Sequence, residues 1–222
     1  MSVSNLSMGI ISNGMNDVLI LIFQFIVFIF SVMVHEVSHG LMAYHLGDDT
    51  AKNMNRLNLN PLNHIDPVGS IILPGLLFLM QSPILFGWAK PVPYNPYNLK
   101  EPKKGAALIG AAGPLSNLGL ALVFGLCIRA LNFAPATAAV GTLAMFFGMI
   151  VYINIILAIF NLIPVAPLDG SKLLFALLPE RYGNVQRFLE QYGLLILFFF
   201  IFFGLGFLQP VVNGLYLLFA GH

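Results

Sequence analysis

Charge is the scarcest property of this chain: Asp, Glu, Lys and Arg make up 9% of its 222 residues, against about 25% in an ordinary soluble domain. So little polar surface cannot cover a water-facing globule, which leaves a lipid bilayer as the surroundings of most of the exterior. A formal net charge of +1 gives no polyelectrolyte character and excludes nucleic acid as an implied partner. Cys127 is the only cysteine. It rules out an intrachain disulfide and, in an apolar run, reads as a small packing residue. Residues 1–16 contain no Lys or Arg. The start of the chain therefore lacks the basic region of a cleavable signal and reads as part of a retained span. No internal repeat and no low-complexity linker appears, so residues 1–222 are expected to form one membrane domain.

What fills the chain is apolar: 58% of residues are hydrophobic, and the mean hydropathy is +0.87. The first long run, 17–46, has no proline, and no glycine before Gly40. As a helix it exceeds the roughly 30 Å hydrocarbon core. A polar, Asn-rich loop follows Gly47. Residues 68–88 are apolar but broken by Pro74, Gly75 and Pro83. Two further spans are expected at 106–131 and 138–162, a short helix at 168–178, and closing apolar segments over 194–220, interrupted at Gln209-Pro210. Unpaired backbone groups are not tolerated in lipid, so the expected fold is all-α, a polytopic membrane helix bundle.

The chemistry is concentrated in His35-Glu36-Val37-Ser38-His39, an H-E-x-x-H pattern. Four helical residues advance about 400°, so the two imidazoles stand roughly 40° apart on one face, one turn separated. That spacing lets one Zn²⁺ accept both, with Glu36 beside the first ligand as general base for an activated water. A carboxylate in mid-membrane costs about 2.5–3.5 kcal/mol on insertion scales, so an apolar helix needs a reason to carry one. The plain alternative is that these residues are solvated at a headgroup boundary. Catalytic zinc takes three protein ligands and keeps one open position. A candidate third ligand is Asp169, in Asn161-Leu-Ile-Pro-Val-Ala-Pro-Leu-Asp-Gly170, where two prolines break the helix. Asp169 fits equally as the N-cap of the next helix.

These motifs together resemble the site-2 protease family of intramembrane zinc metalloproteases, in its compact branch without PDZ or CBS domains. The similarity extends to Arg56-Leu-Asn-Leu-Asn-Pro-Leu-Asn-His-Ile-Asp-Pro-Val-Gly69, Phe86-Gly-Trp-Ala-Lys-Pro-Val-Pro93 and Ala112-Gly-Pro-Leu-Ser-Asn117. It covers most of residues 17–180. Ser38 departs from the glycine or apolar residue common there, at a position that is no ligand. The resemblance implies one zinc on His35, His39 and Asp169, with Glu36 as base. It implies that Asn161 contacts substrate or the developing oxyanion, and that Asn117 contacts substrate or packs helices. The implied activity is endopeptidase cleavage within or near transmembrane segments of membrane-protein substrates. A non-catalytic zinc carrier or transporter would use the same ligands without needing Glu36. His45 falls on the far side of its helix, His64 and Asp66 belong to a loop that could line a substrate path, and His222 carries no signal.

Ligands that meet must share a side of the bilayer, so an even number of crossings separates His39 from Asp169. The spans at 106–131 and 138–162 supply two, which makes 68–88 a re-entrant segment. Lys52, Arg56, Lys90, Lys100, Lys103, Lys104, Lys172, Arg181 and Arg187 then fall on one side and only Arg129 on the other. This bias assigns the first side to the cytoplasm, in a protein of the cell membrane.

Overall fold

A computed structural model describes the backbone of residues 3–73, 76, 79–80 and 90–221, with side chains from residue 18 onward except 70 and 71. Six helices carry the fold: α1 Val3–His45, α2 Pro102–Leu131, α3 Ala138–Asn161, α4 Asp169–Leu177, α5 Gly183–Phe203 and α6 Gln209–Ala220. Among the described residues there is no strand. Four stretches are long and apolar enough to cross a membrane: Val18–His45, Pro102–Leu131, Ala138–Asn161 and Glu180–Phe203. Large apolar side chains point outward along them, such as Phe25 at 53% exposure and Leu195 at 70%. In water such a surface would be an aggregation site; in lipid it is the required exterior.

Local chemistry sets the helix ends. Gly47, at φ +102°, supplies the left-handed residue that stops α1. Pro102 sits in the first turn of α2, where its missing N–H has no helical partner to lose. It starts the helix a turn before the expected residue 106. The Thr137 hydroxyl accepts from Val140 N at 3.3 Å and opens α3. α5 begins eleven residues before the expected 194, because its first turns carry Gln186, Arg187 and Glu190 and hydropathy alone passes over them.

α2 is the central element, packed against α1, α3, α4 and α6. Ser31 and His35 of α1 meet Asn117 of α2, and His39 meets Ile109. Rising along α1 thus means descending along α2, and the pair is antiparallel. α1 and α3 are parallel, with Phe23 stacked on Phe146 and Ser31 bonded to Asn154. The C-terminal ends of α1 and α3 and the N-terminal end of α2 therefore lie together. Arg129, at the other end of α2, donates to the Phe219 and Leu218 carbonyls that close α6. It satisfies carbonyls at the end of α6 that have no partner within their own helix.

The chain between α1 and α2 leaves and returns at one end of the bundle. Lys90 N donates to His64 O at 2.8 Å. The Asp48 carboxylate accepts from Thr50, from Asn95 N at 2.7 Å and from Asn98 Nδ2 at 2.6 Å. The flanks of the expected re-entrant segment are thus held on one side; most of residues 68–88 lie outside the described residues. His64 is buried against Asn58 O, and Asp66 accepts from Val68 N and Gly69 N. Both shape the loop.

Burial raises the Asp48 pKa, but the hydrogen bonds from Thr50, Asn95 and Asn98 outweigh it and hold the carboxyl below its ordinary value. A depressed native pKa contributes stability above the unfolded value of about 3.9, and the contribution fades as pH falls through the native value. The gap in melting temperature between wild type and Asp48→Asn in detergent is expected to be widest at neutral pH and to narrow below about pH 4. A gap that stays constant from about pH 7 to pH 3 would show that this carboxylate is not the tether.

Candidate metal centre

His35 and His39 project from the last third of α1, and both are buried, at 5% and 6% exposure. Asp169, also 6% exposed, is the first residue of α4. Its Oδ2 lies 3.0 Å from Nε2 of His35 and 3.0 Å from Nε2 of His39. The N-cap position of α4 is Leu168, one residue before Asp169, so the N-cap alternative is set aside and the carboxylate faces the two imidazoles. Lys172 Nζ, at 2.9 Å, takes the other oxygen, Oδ1. Ligand atoms on a tetrahedral zinc with bonds of about 2.0–2.1 Å stand roughly 3.3 Å apart. Among the described residues, His35, His39 and Asp169 form a group whose ligand atoms all lie within 4.8 Å of one another. Two neutral imidazoles and a carboxylate are a donor set suited to Zn²⁺, and the residues fit the metal.

Hydrogen bonds behind the rings fix which nitrogen faces the centre. His35 Nδ1 donates to Asn117 Oδ1 at 2.6 Å, and His39 Nδ1 donates to Ile109 O at 2.6 Å. With Nδ1 protonated on each ring, both Nε2 lone pairs point toward Asp169. Asn117, expected at the substrate or in helix packing, stands behind His35 and bonds α2 to α1 and α3. It is fully buried, and its Nδ2 donates to Ser31 O and to Asn154 Oδ1. Both amide hydrogens are used inside the bundle, so none is left to bind substrate.

Close backbone approach makes the convergence possible. A Cβ on Gly113 of α2 would lie 2.5 Å from His35 Nε2 and 2.6 Å from His39 Cε1. At Gly170 it would fall 2.3 Å from Leu162 O, which lets α4 fold back against the end of α3 and deliver Asp169. The intervening loop contains a cis Ala166-Pro167 bond.

Glu36 is half-buried on the neighbouring face of α1, and its Oε2 accepts from Val92 N at 2.9 Å. Val92 sits in an extended stretch anchored by Arg56, whose Nη2 donates to Lys90 O at 2.8 Å and Pro91 O at 3.3 Å. Asn161, at the end of α3, donates from Nδ2 to Leu157 O at 3.0 Å. Sequence reasoning gave no part in the site to Arg56, Val92, Gly113 or Asn154. Arg56 and Val92 fall inside stretches that carried the resemblance, and Gly113 and Asn117 share the Gly-Pro-x-x-Asn run. Asn154 had only its polarity in an apolar span to mark it.

A helix bundle of this hydropathy, with a His₂Asp set and an adjacent carboxylate, defines a membrane metallopeptidase type of centre. Comparison with known proteins agrees. Residues 127–204 match the model of Peptidase family M50. YwhC of Bacillus subtilis strain 168, provisionally named a zinc metalloprotease, is 37% identical over 194 residues, covering 85% of each chain. Rip2 of Mycolicibacterium smegmatis, provisionally named likewise, is 29% identical over 169 residues, 75% of this chain and 61% of that protein. Rip2 of Mycobacterium tuberculosis H37Rv is 28% identical over 187 residues, 83% and 66% respectively. No solved structure matches. The chain belongs to Peptidase family M50, the site-2 protease family, and is a zinc metalloprotease of membrane-helix architecture.

Gly113→Ala should lower zinc affinity tenfold or more while leaving helix content intact, because the added methyl meets the coordinating nitrogen. Gly119→Ala, with nothing within 4 Å of its added Cβ, is the control on the same helix. Equal zinc content in both purified variants would show that the two imidazoles can shift without loss.

Proposed function

We propose that the protein is an intramembrane endopeptidase of the site-2 type, hydrolysing peptide bonds within or near transmembrane segments of membrane-protein substrates. The observation that carries this reading is a single carboxylate oxygen, Asp169 Oδ2, 3.0 Å from both histidine Nε2 atoms, with Glu36 next to His35 on α1. In this reading His35, His39 and Asp169 hold one Zn²⁺. When bound, zinc supplies Lewis acidity that polarises the scissile carbonyl and acidifies the attacking water. Glu36 takes the proton of that water on its carboxylate and later delivers it to the leaving amide nitrogen. The Val92 N–H, by holding Oε2, orients the carboxylate for that exchange. Asn161 spends one of its two Nδ2 hydrogens on Leu157 O; the other is the donor assigned to the substrate carbonyl as it gains negative charge. A zinc carrier would have no use for Glu36 or for its tether.

The test is turnover of a single-span model substrate by purified, zinc-loaded protein. Glu36→Gln is expected to keep its zinc and lose turnover, and Asn161→Ala to keep zinc and slow by about 10²–10³-fold. Wild-type turnover by Glu36→Gln would end the mechanism. Full turnover by Asn161→Ala would reduce that asparagine to a helix-end residue.

We also propose that the site end of the bundle faces the cytoplasm, since nine of the ten basic residues cluster there. In a Cys127→Ser background, Asn53→Cys and Lys100→Cys are expected to be labelled from the cytoplasmic side, and Phe133→Cys from the opposite side. Labelling of the first two from outside would invert the assignment.

A further inference from the structure

Asn154 lies on α3 and is fully buried. Its Nδ2 donates to Ile150 O and to Ser31 Oγ, both at 2.9 Å, and its Oδ1 accepts from Asn117 Nδ2 at 2.8 Å. Asn117 in turn donates to Ser31 O at 3.2 Å and presents Oδ1 to His35 Nδ1. Backbone carbonyls only accept, so Ile150 O and Ser31 O dictate which way each amide faces. Ile150 O draws the Asn154 nitrogen, which turns Asn154 Oδ1 toward Asn117. Ser31 O and Asn154 Oδ1 together claim both hydrogens of Asn117, which turns its oxygen toward His35. That oxygen accepts only from a protonated Nδ1, and the lone pair of His35 is left on Nε2, facing Asp169. Every bond in the chain runs one way, from His35 to the carbonyls of Ser31 and Ile150 and the Ser31 hydroxyl.

We infer that Asn154 is a positioning residue of the metal centre, acting through Asn117 to hold His35 in the tautomer and ring orientation that ligates zinc. The inference rests on the metalloprotease reading above. An apolar residue at 154 would strand one Asn117 hydrogen in lipid-depth protein and free the Asn117 amide to turn. Groups that orient a ligating histidine typically change metal affinity about 10–100-fold. Asn154→Asp, buried as the neutral acid, preserves an acceptor toward Asn117 and donates its own hydrogen to Ile150 O, and the Ser31 hydroxyl can rotate to donate to it.

The experiment uses the purified full-length protein in detergent. Zinc dissociation constants come from chelator competition, and ligand geometry from the visible spectrum of the Co²⁺-substituted form. Asn154→Leu is expected to weaken zinc about 10–100-fold and to shift the cobalt spectrum, with Asn154→Asp close to wild type in both. Val151→Ala removes packing from a fully buried neighbour on the same helix without touching the chain of amides. It should lower the melting temperature yet leave the metal readouts unchanged. If Asn154→Leu binds zinc as wild type does, with an unaltered cobalt spectrum, the positioning role is wrong. A metal loss in Val151→Ala equal to that in Asn154→Leu, at matched loss of melting temperature, would likewise reduce Asn154 to packing. Should Asn154→Leu fail to fold, loss of zinc affinity in a folded Asn154→Asp would overturn the acceptor argument. If wild type itself binds neither zinc nor cobalt, it is the metalloprotease reading that falls, which separates the two failures.

Discussion

The structure is organised by one constraint: a carboxylate and two imidazoles are buried where almost everything else is apolar. A buried charge without a partner is expensive: Asp169 has Lys172 on Oδ1, and its Oδ2 converges with the Nε2 atoms of His35 and His39 where a shared cation would compensate it. Meeting that demand fixes the bundle. α1 must present two residues one turn apart, α4 must begin at the depth of α1, and α3 must run parallel to α1 so that its end delivers the loop to Asp169. The antiparallel α2 lies between them and supplies the small residue, Gly113, against which both rings rest. Removing the carboxylate's partners would therefore undo the reason for this arrangement as well as a ligand set.

Much of this was legible in the sequence, and the parts that were not share a cause. The H-E-x-x-H spacing carries its own geometry, so His35, Glu36 and His39 could be placed from helical periodicity alone. The requirement that the ligands meet set the parity of crossings and made 68–88 re-entrant; the flanks of that segment are bonded to each other through Lys90 N and His64 O, and most of the segment lies outside the described residues. Asn117 could be singled out by its motif but not by what it touches. A buried asparagine and a substrate-binding asparagine look alike until the partners of its hydrogens are known. Asn154 and Ser31 had no local pattern at all, because their relation to His35 spans more than a hundred residues in one case and depends on the parallel packing of α1 and α3. The start of α5 was missed for another reason: charged first turns of a span look like loop when read by hydropathy.

Across the site, the supports divide by the job of the residue they hold. The histidine ligands are braced from within the bundle, by Ile109 O on one side and the Asn117–Asn154–Ser31 cluster on the other. These groups sit on long helices that share extensive surfaces, so the metal geometry follows the packing of α1, α2 and α3. Glu36 is braced from outside it, by the backbone of Val92. That backbone is a loop, kept in place by Arg56 at Lys90 and Pro91 and by Asp48 at Asn95 and Asn98.

The division has a physical consequence for how precisely each kind of residue is held. A metal site tolerates little displacement of its ligands, whereas a general base need only be oriented when the substrate is present. Placing the ligands on packed helices and the base's tether on a loop separates those tolerances. The loop is fixed by Asp48 and Arg56, through bonds that none of the three ligands makes. The ligand geometry therefore depends on helix packing and the orientation of Glu36 on one backbone N–H, that of Val92. The arrangement that buries a charge safely in lipid thus holds the base from a loop rather than from a helix.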